Sequence, residues 1–328
     1  MAVIHYLNVK EGDCSVIQHN SGRVTVIDVC NAEALTEGTR AAEMFTEALA
    51  KASGGNFQQK AYPVNPISYL TNHGIDSVFR FILTHPDMDH MDGIKAFFDA
   101  FSPLNLWDTD NQESKDFGEE TQYNEDDWDF YTNLRDTNPQ SDPKRLTIHS
   151  GEGGQFWNKE GEEAGGDGLH VLAPTKELVS GANECGDYND CSYVLLYRTA
   201  NKRIVFGGDS HDETWEHILQ EHKADVTNVD LLIAPHHGRK SGRSYDFLDT
   251  LKPKLTFFGN ANSEHLAYGA WSGRNLPYIT NNQANCMVVH AVDGALNLYV
   301  TNESFARKQT PTTFYSDFLK AWYHSTIS

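Results

Sequence analysis

Residues 84–93 read Thr-His-Pro-Asp-Met-Asp-His-Met-Asp-Gly, so that four side chains able to ligate a cation, His85, Asp87, Asp89 and His90, fall within six positions. The apolar run Val78-Phe79-Arg80-Phe81-Ile82-Leu83 precedes them and ends at a turn-forming His-Pro. A strand that stops there places the loop at its C-terminal end, where alternate side chains converge on one point. Imidazoles and carboxylates at this density suit a divalent metal. For the loop alone, a buried His/Asp hydrogen-bond network is the competing explanation.

Two later segments share this grammar. Phe206-Gly207-Gly208-Asp209-Ser210 ends an apolar run with two glycines, which permit a tight turn that presents one carboxylate. Ile233-Ala234-Pro235-His236-His237-Gly238 ends another with two histidines. A carboxylate that bridges two cations, with histidines on neighbouring strand ends, would form a dinuclear site that activates water and clamps a phosphoryl group.

Around these motifs the pattern is mostly strand. Residues 2–9, 14–18 and 24–29 predict an N-terminal antiparallel meander, and 33–51 and 66–74 predict helices. A third helix is expected from about Asp92, as N-cap, through Phe101. Further strands are expected at 170–172, 192–197, 203–206, 230–234 and 255–258, with a hairpin over 287–300 turning at Asp293-Gly294. From Asp108 to Asp129 there are ten acidic residues and a single lysine, and 104–168 reads as an acidic insertion or lid. Apolar spacing over about 313–325 predicts a closing helix.

The chain has 328 residues, 39% of them hydrophobic, enough for a large core. A net charge of −20 argues against a broad grip on DNA or on anionic membrane. No apolar stretch reaches spanning length and no signal peptide is evident, so a cytoplasmic protein without membrane contact is expected. The five cysteines (14, 30, 185, 191 and 286) lack a Cys-x-x-Cys pair and read as reduced thiols. His5, His19, His73, His149, His222 and His324 read as surface or packing residues.

Taken together, Asp28 at a strand end, His85-x-Asp87-x-Asp89-His90, Asn189-Asp-Cys-Ser192, Gly208-Asp209 and Pro235-His236-His237-Gly238 resemble the metallo-β-lactamase superfamily. The branch most resembled is the hydrolase domain of bacterial competence DNA-uptake proteins, and more distantly the phosphorylcholine esterases; Gly12-Asp13 matches as well. The resemblance spans roughly residues 3–300 outside 104–168. It implies an α/β fold, a four-layer αββα sandwich in a single domain over 1–328, with metals at the shared strand-end edge. It further implies that His85 and Asp87 hold a first metal, Asp89 and His90 a second, and that Asp209 bridges them. His236 or His237 is the last ligand, with His236 favoured as nearest the strand end, and Asp28 supports a ligand from behind. The cofactors implied are two divalent ions, Zn2+ or Mn2+, with iron open.

The chain departs from that pattern in three places. Asp87 stands where a histidine is commonest. The histidine expected between the His/Asp loop and Gly208-Asp209 has no clear counterpart, since His170 sits inside a strand pattern, which leaves Asn189 for that place. The serine after His-His-Gly is replaced by Arg239-Lys240-Ser241-Gly242-Arg243, a basic cluster expected to recognise phosphate. His211, Asn262, His265, Trp271 and Arg274 are further candidates to line a pocket, Trp271 by stacking on a base.

The resemblance implies a hydrolase of the phosphodiesterase or nuclease type, in which a metal-bridging hydroxide attacks phosphorus and Asp89 or His265 moves a proton. Three alternatives stay open: hydrolysis of another ester, thioester or lactam; a diiron oxidoreductase; and a degenerate interaction module with a protein partner or a second copy of the chain.

Overall fold

The structure is a computed structural model and describes residues 1–52, 57–118, 121–159, 166–261 and 264–328. In chain order the strands are β1 (Ala2–Tyr6), β2 (Ser15–Gln18), β3 (Val24–Ile27), β4 (Arg80–Ile82), β5 (Asn105–Trp107), β6 (Lys144–Leu146), β7 (Leu169–Ala173) and β8 (Val194–Thr199). They continue with β9 (Lys202–Phe206), β10 (Leu231–Ile233), β11 (Leu255–Phe258), β12 (Tyr278–Thr280), β13 (Met287–Val292), β14 (Ala295–Val300), β15 (Tyr315–Ser316) and β16 (Ala321–Ile327).

A ten-stranded sheet runs β15-β16-β14-β13-β1-β2-β3-β4-β5-β6, and a six-stranded sheet runs β12-β11-β10-β9-β8-β7. The meander β1-β2-β3 is antiparallel, whereas β3, β4, β5 and β6 are parallel, as are β9, β10, β11 and β12. All strands of each parallel set therefore end at the same edge, the geometry that gathers loops into a site.

Three apolar layers explain why the sheets stack. Ile4, Tyr6, Ile17 and Ile27 of the large sheet meet Leu195, Ile204, Phe206 and Leu231 of the small one. After a first helix, α1 (Glu37–Ala52), the opposite face of the large sheet buries Val16, Val26, Phe81 and Leu106 under Leu70 of α2 (Pro66–Asn72) and Phe97 of α3 (Ile94–Phe101), with Trp128 and Tyr131 of α4 (Glu125–Thr137). The outer face of the small sheet buries Val194, Val205 and Leu232 under Trp215 and Ile218 of the helix Asp212–Glu221 and under Trp271. The order is helices, sheet, sheet, helices: the four-layer αββα sandwich expected from the sequence.

Three expectations are revised. The 104–168 stretch is not set apart from the sheet, because β5 and β6 lie within it and extend the parallel array; Leu106 and Trp107 are fully buried there. Its acidic run instead starts α4, whose Asp127 accepts hydrogen bonds from the backbone N–H of Gly93 and Lys95 at the start of α3. Asp92 is consequently not the cap of α3: Gly93, at φ 87°, holds that position and Asp92 accepts from the Asn31 backbone. The expected closing helix over 313–325 is β15 and β16. Trp322, Tyr323, Thr326 and Ile327 favour extended backbone, Lys320 turns at φ 51°, and Leu319 and Ala321 pack on Val3, Val288 and Tyr299.

All five cysteines are free thiols, and no described helix is long and apolar enough to cross a membrane.

Candidate metal centre

The site forms where β3, β4, β9 and β10 end. Asp28 follows β3 at φ 58°, still pairing its N–H with the Ile82 carbonyl. Its carboxylate accepts from the Thr84 N–H (2.7 Å) and hydroxyl (2.8 Å), and lies 2.8 Å from His90 Nδ1. With that nitrogen donating, the His90 Nε2 lone pair faces inward. His90 itself rides on the 3-10 turn Met88–His90. The Gly12-Asp13 loop supports this turn from the other side: a Cβ on Gly12 would lie 1.7 Å from the Asp89 carbonyl oxygen.

Asp209 is delivered by the turn after β9. Gly208 takes φ 51°, and the Asp209 N–H donates to Ser192 Oγ at 3.2 Å. The Tyr193 N–H donates to the Thr84 carbonyl and so ties the two sheets together beside the site. After β10, His236 and His237 both adopt left-handed backbone, φ 51° and 57°, which turns their rings in different directions.

The Asp209 carboxylate stands among four imidazoles. His90 Nε2 is 3.3 Å from one oxygen, while His236, His237 and His85 Nε2 are 3.6, 3.7 and 3.9 Å from the other. Three sets of side chains bring ligand atoms close enough to share an ion: His85, His90 and Asp209; Asp89, His90 and His237; and Asp13, Asp209 and His237. Asp89 lies 3.4 Å from His237 Nε2, and Asp87 lies 3.4 Å from His85 Nε2.

These residues fit a divalent cation. His85 Nε2, His90 Nε2, His237 Nε2 and Asp209 Oδ1 are buried without an aligned hydrogen-bond partner, an expensive condition for polar atoms that a cation would relieve. The electrostatics agree. Burial alone would raise the Asp209 pKa, but His237, His90 and His236 hold it well below the usual carboxylate range. Burial opposes charge on His237 as well, yet Asp13 and Asp209 push its pKa up to about 10. Asp209, Asp28 and Asp89 likewise outweigh burial to raise His90. The centre attracts positive charge.

His236 behaves oppositely. Burial, with His237 and Arg243 nearby, pushes its pKa down to about 4 despite Asp209. Arg243 is buried and donates to the carbonyls of Ser210 and Asp209 and to His236 Nδ1 (2.8 Å), so it faces the protein rather than a phosphate. Lys240 is exposed and bonds the Glu264 carbonyl; Arg239 is half-buried beside it. Asn189 Oδ1 is buried without a partner, and His211 stacks near His236 with ring centroids 6.2 Å apart.

Two other expected pocket residues, Trp271 and Arg274, are engaged away from the centre. Trp271 is fully buried, its indole N–H bonded to Thr256 Oγ1, so no face is free to stack on a base. Arg274 pairs at the surface with Asp249 and Asp246. The His265 side chain is half-exposed and pairs with Glu264 at 3.7 Å. Asn262 lies outside the described residues.

Sequence reasoning missed two neighbours of the centre. Asp13 Oδ1 lies 2.9 Å from His237 Nδ1 and accepts from the Tyr6 hydroxyl. Lys115, the only lysine in the acidic run, reaches Asp87 at 3.0 Å and is cationic above the Trp128 ring. Gly12-Asp13 was a visible motif, whereas nothing local marks Lys115.

No family model matches the chain, and no curated protein matches it. Among solved structures it is similar to a diphosphatase from the PhnP family, at 10% identity over 79% of this chain and 86% of that one, TM-score 0.36. Yeast PDE1 aligns at 10% identity over 85% of this chain and 98% of that one, TM-score 0.40. The Rm3 metallo-beta-lactamase aligns at 13% identity over 72% and 76%, TM-score 0.30. Likeness at this level assigns no residue and no substrate to this chain, whose centre rests on its own geometry.

Proposed function

We propose that the chain is a metal-dependent hydrolase of phosphoric diesters, with Zn2+ or Mn2+ as its ions. The observation that carries this reading is the Asp209 carboxylate within 3.3–3.9 Å of four imidazole nitrogens.

Asp89, His90, His237 and Asp209 would hold one ion, and His85, Asp87 and Asp209 a second. When bound, such ions lower the pKa of water and polarise a phosphoryl oxygen. The chain's own residues set the conditions for that chemistry. Asp28 keeps the His90 proton on Nδ1, and Asp13 lies where it would do the same for His237, leaving both Nε2 lone pairs inward. Asp89, 3.4 Å from His237 Nε2, would carry a proton toward a leaving group. Arg239 and Lys240, immediately after the His-His-Gly turn, supply cationic charge at the rim. The net charge of −20 favours a small or single-stranded phosphodiester over a long duplex.

Elemental mass spectrometry on the purified protein, with hydrolysis of bis-p-nitrophenyl phosphate, tests this reading. About two ions per chain and measurable turnover are expected, both lost in Asp209→Ala while the circular dichroism spectrum is kept. Full activity in that variant would overturn the reading, and turnover confined to chromogenic esters or β-lactams would overturn the substrate class.

A further inference from the structure

We propose that His236 is not a metal ligand but a neutral hydrogen-bond donor to the bound substrate, and that Arg243 is the positioning residue that makes it one. The proposal rests on the hydrolase reading above and divides the His236-His237 pair into two jobs.

The role of His236 turns on which of its ring nitrogens carries the proton. Arg243 NH2 lies 2.8 Å from His236 Nδ1. A guanidinium is always protonated and has no acceptor, so it can only donate. His236 Nδ1 must therefore accept, which in a neutral ring leaves the proton on Nε2. A histidine ligating through Nε2 needs the reverse arrangement, with its proton on Nδ1 and usually held by a carboxylate or a carbonyl. His90 has that arrangement with Asp28, and His237 has Asp13 at 2.9 Å. His236 has an arginine in the same place.

Arg243 is not free to turn away. Its guanidinium also donates to the Ser210 carbonyl and to the Asp209 carbonyl (3.2 Å), its Nε to Ser241 Oγ (2.5 Å), and the residue is only 7% exposed. It is thus braced against the turn that presents Asp209. Geometry separates the two histidines as well. His237 belongs to two of the three ligand sets, and His236 belongs to none. His237 is fully buried, whereas the His236 side chain keeps 20% exposure while its Nε2 sits 3.6 Å from Asp209 Oδ2. A group held over the Asp209 carboxylate comes within reach of that N–H. An uncharged donor there suits a phosphoryl oxygen, and it bears on charge that develops during displacement.

The test uses the full chain with 15N-labelled histidine, zinc-free and zinc-loaded. Two-bond 1H–15N correlations report which nitrogen of His236 is protonated. The expected result is a proton on Nε2 in both states, with His237 alone of the pair moving on zinc addition. Asn tolerates left-handed backbone, so His236→Asn and His237→Asn spare the turn. His236→Asn is expected to keep wild-type zinc content while kcat/KM for bis-p-nitrophenyl phosphate falls about 10²-fold, mostly through kcat. His237→Asn is expected to lose zinc. Arg243→Met should release His236 to the Nδ1–H form, and Arg243→Lys, which keeps a cationic donor, should retain Nε2–H. If Arg243→Met fails to fold, the wild-type spectrum decides. A proton on Nδ1 of His236 in the zinc-free protein, or loss of a zinc equivalent in His236→Asn, would overturn the proposal. A wild type that binds no zinc in either assay would overturn the hydrolase reading instead, and the zinc-free spectrum would still decide the Arg243 claim.

Discussion

Asp28 and His90 meet at 2.8 Å, Oδ2 to Nδ1, across 62 residues of sequence, and the backbone at Asp28 takes φ 58° to make the contact. Every partner of this carboxylate is a donor: the Thr84 N–H, the Thr84 hydroxyl and the His90 ring. Asp28→Asn keeps a residue that tolerates left-handed backbone but places an amide NH2 against donors. The ring then loses the contact that fixes its tautomer. Zinc affinity, measured by competition with a chromogenic chelator, is expected to fall about 10–100-fold with the fold intact. An unchanged affinity would remove Asp28 from the account of the site.

Gly12 shows how closely a second loop is pressed against the ligand turn. A Cβ there would sit 1.7 Å from the Asp89 carbonyl oxygen and 2.9 Å from Cys30 Cβ, and backbone cannot yield as a flexible side chain can. Gly12→Ala is expected to cost about 1–3 kcal/mol in urea unfolding and to weaken metal binding by shifting Asp89 and His90. Wild-type stability together with wild-type zinc content would contradict the close approach.

The ligand loops were legible because their signal is local. An apolar run, a turn-forming Gly or Pro and the ligand side chains lie within one short segment each, 78–90, 203–209 and 231–237, and each run became a strand ending at the site. What the sequence could not show depends on distant partners. Arg243 reads as a surface phosphate binder until Ser210 and Asp209 turn their carbonyls toward it. Trp271 reads as a stacking platform until Thr256 and the helices over the small sheet bury it. Phe314, Phe318, Leu319 and Trp322 have helical spacing, yet 321–327 pairs along β14 because an open sheet edge was available to it. Lys115 stands out in an acidic run only as an exception, and its contact with Asp87 needs the chain to return over β4.

Two histidines far from the ligand loops make acid stability predictable. Burial, assisted by nearby His73, pushes the His5 pKa down to about 3, although Gln18 pulls the other way. Burial does the same to His19, to about 3, with Arg80 adding to it and Asp167 opposing it. In the unfolded chain both titrate near 6.5. Below that pH the unfolded state therefore binds protons that the folded state refuses, so these residues contribute full stability above about pH 6.5 and lose it as the pH falls toward 3. Each loses about 1.4 kcal/mol per pH unit across that window. Between pH 7.5 and pH 5 the two together are expected to cost about 4 kcal/mol. The ligand histidines titrate too, so variants isolate the effect. His5→Gln and His19→Gln, compared with wild type by urea unfolding at pH 7.5 and 5.0, should each flatten the pH dependence by about 2 kcal/mol. Parallel pH profiles in all three proteins would show that these rings take up protons in the folded state.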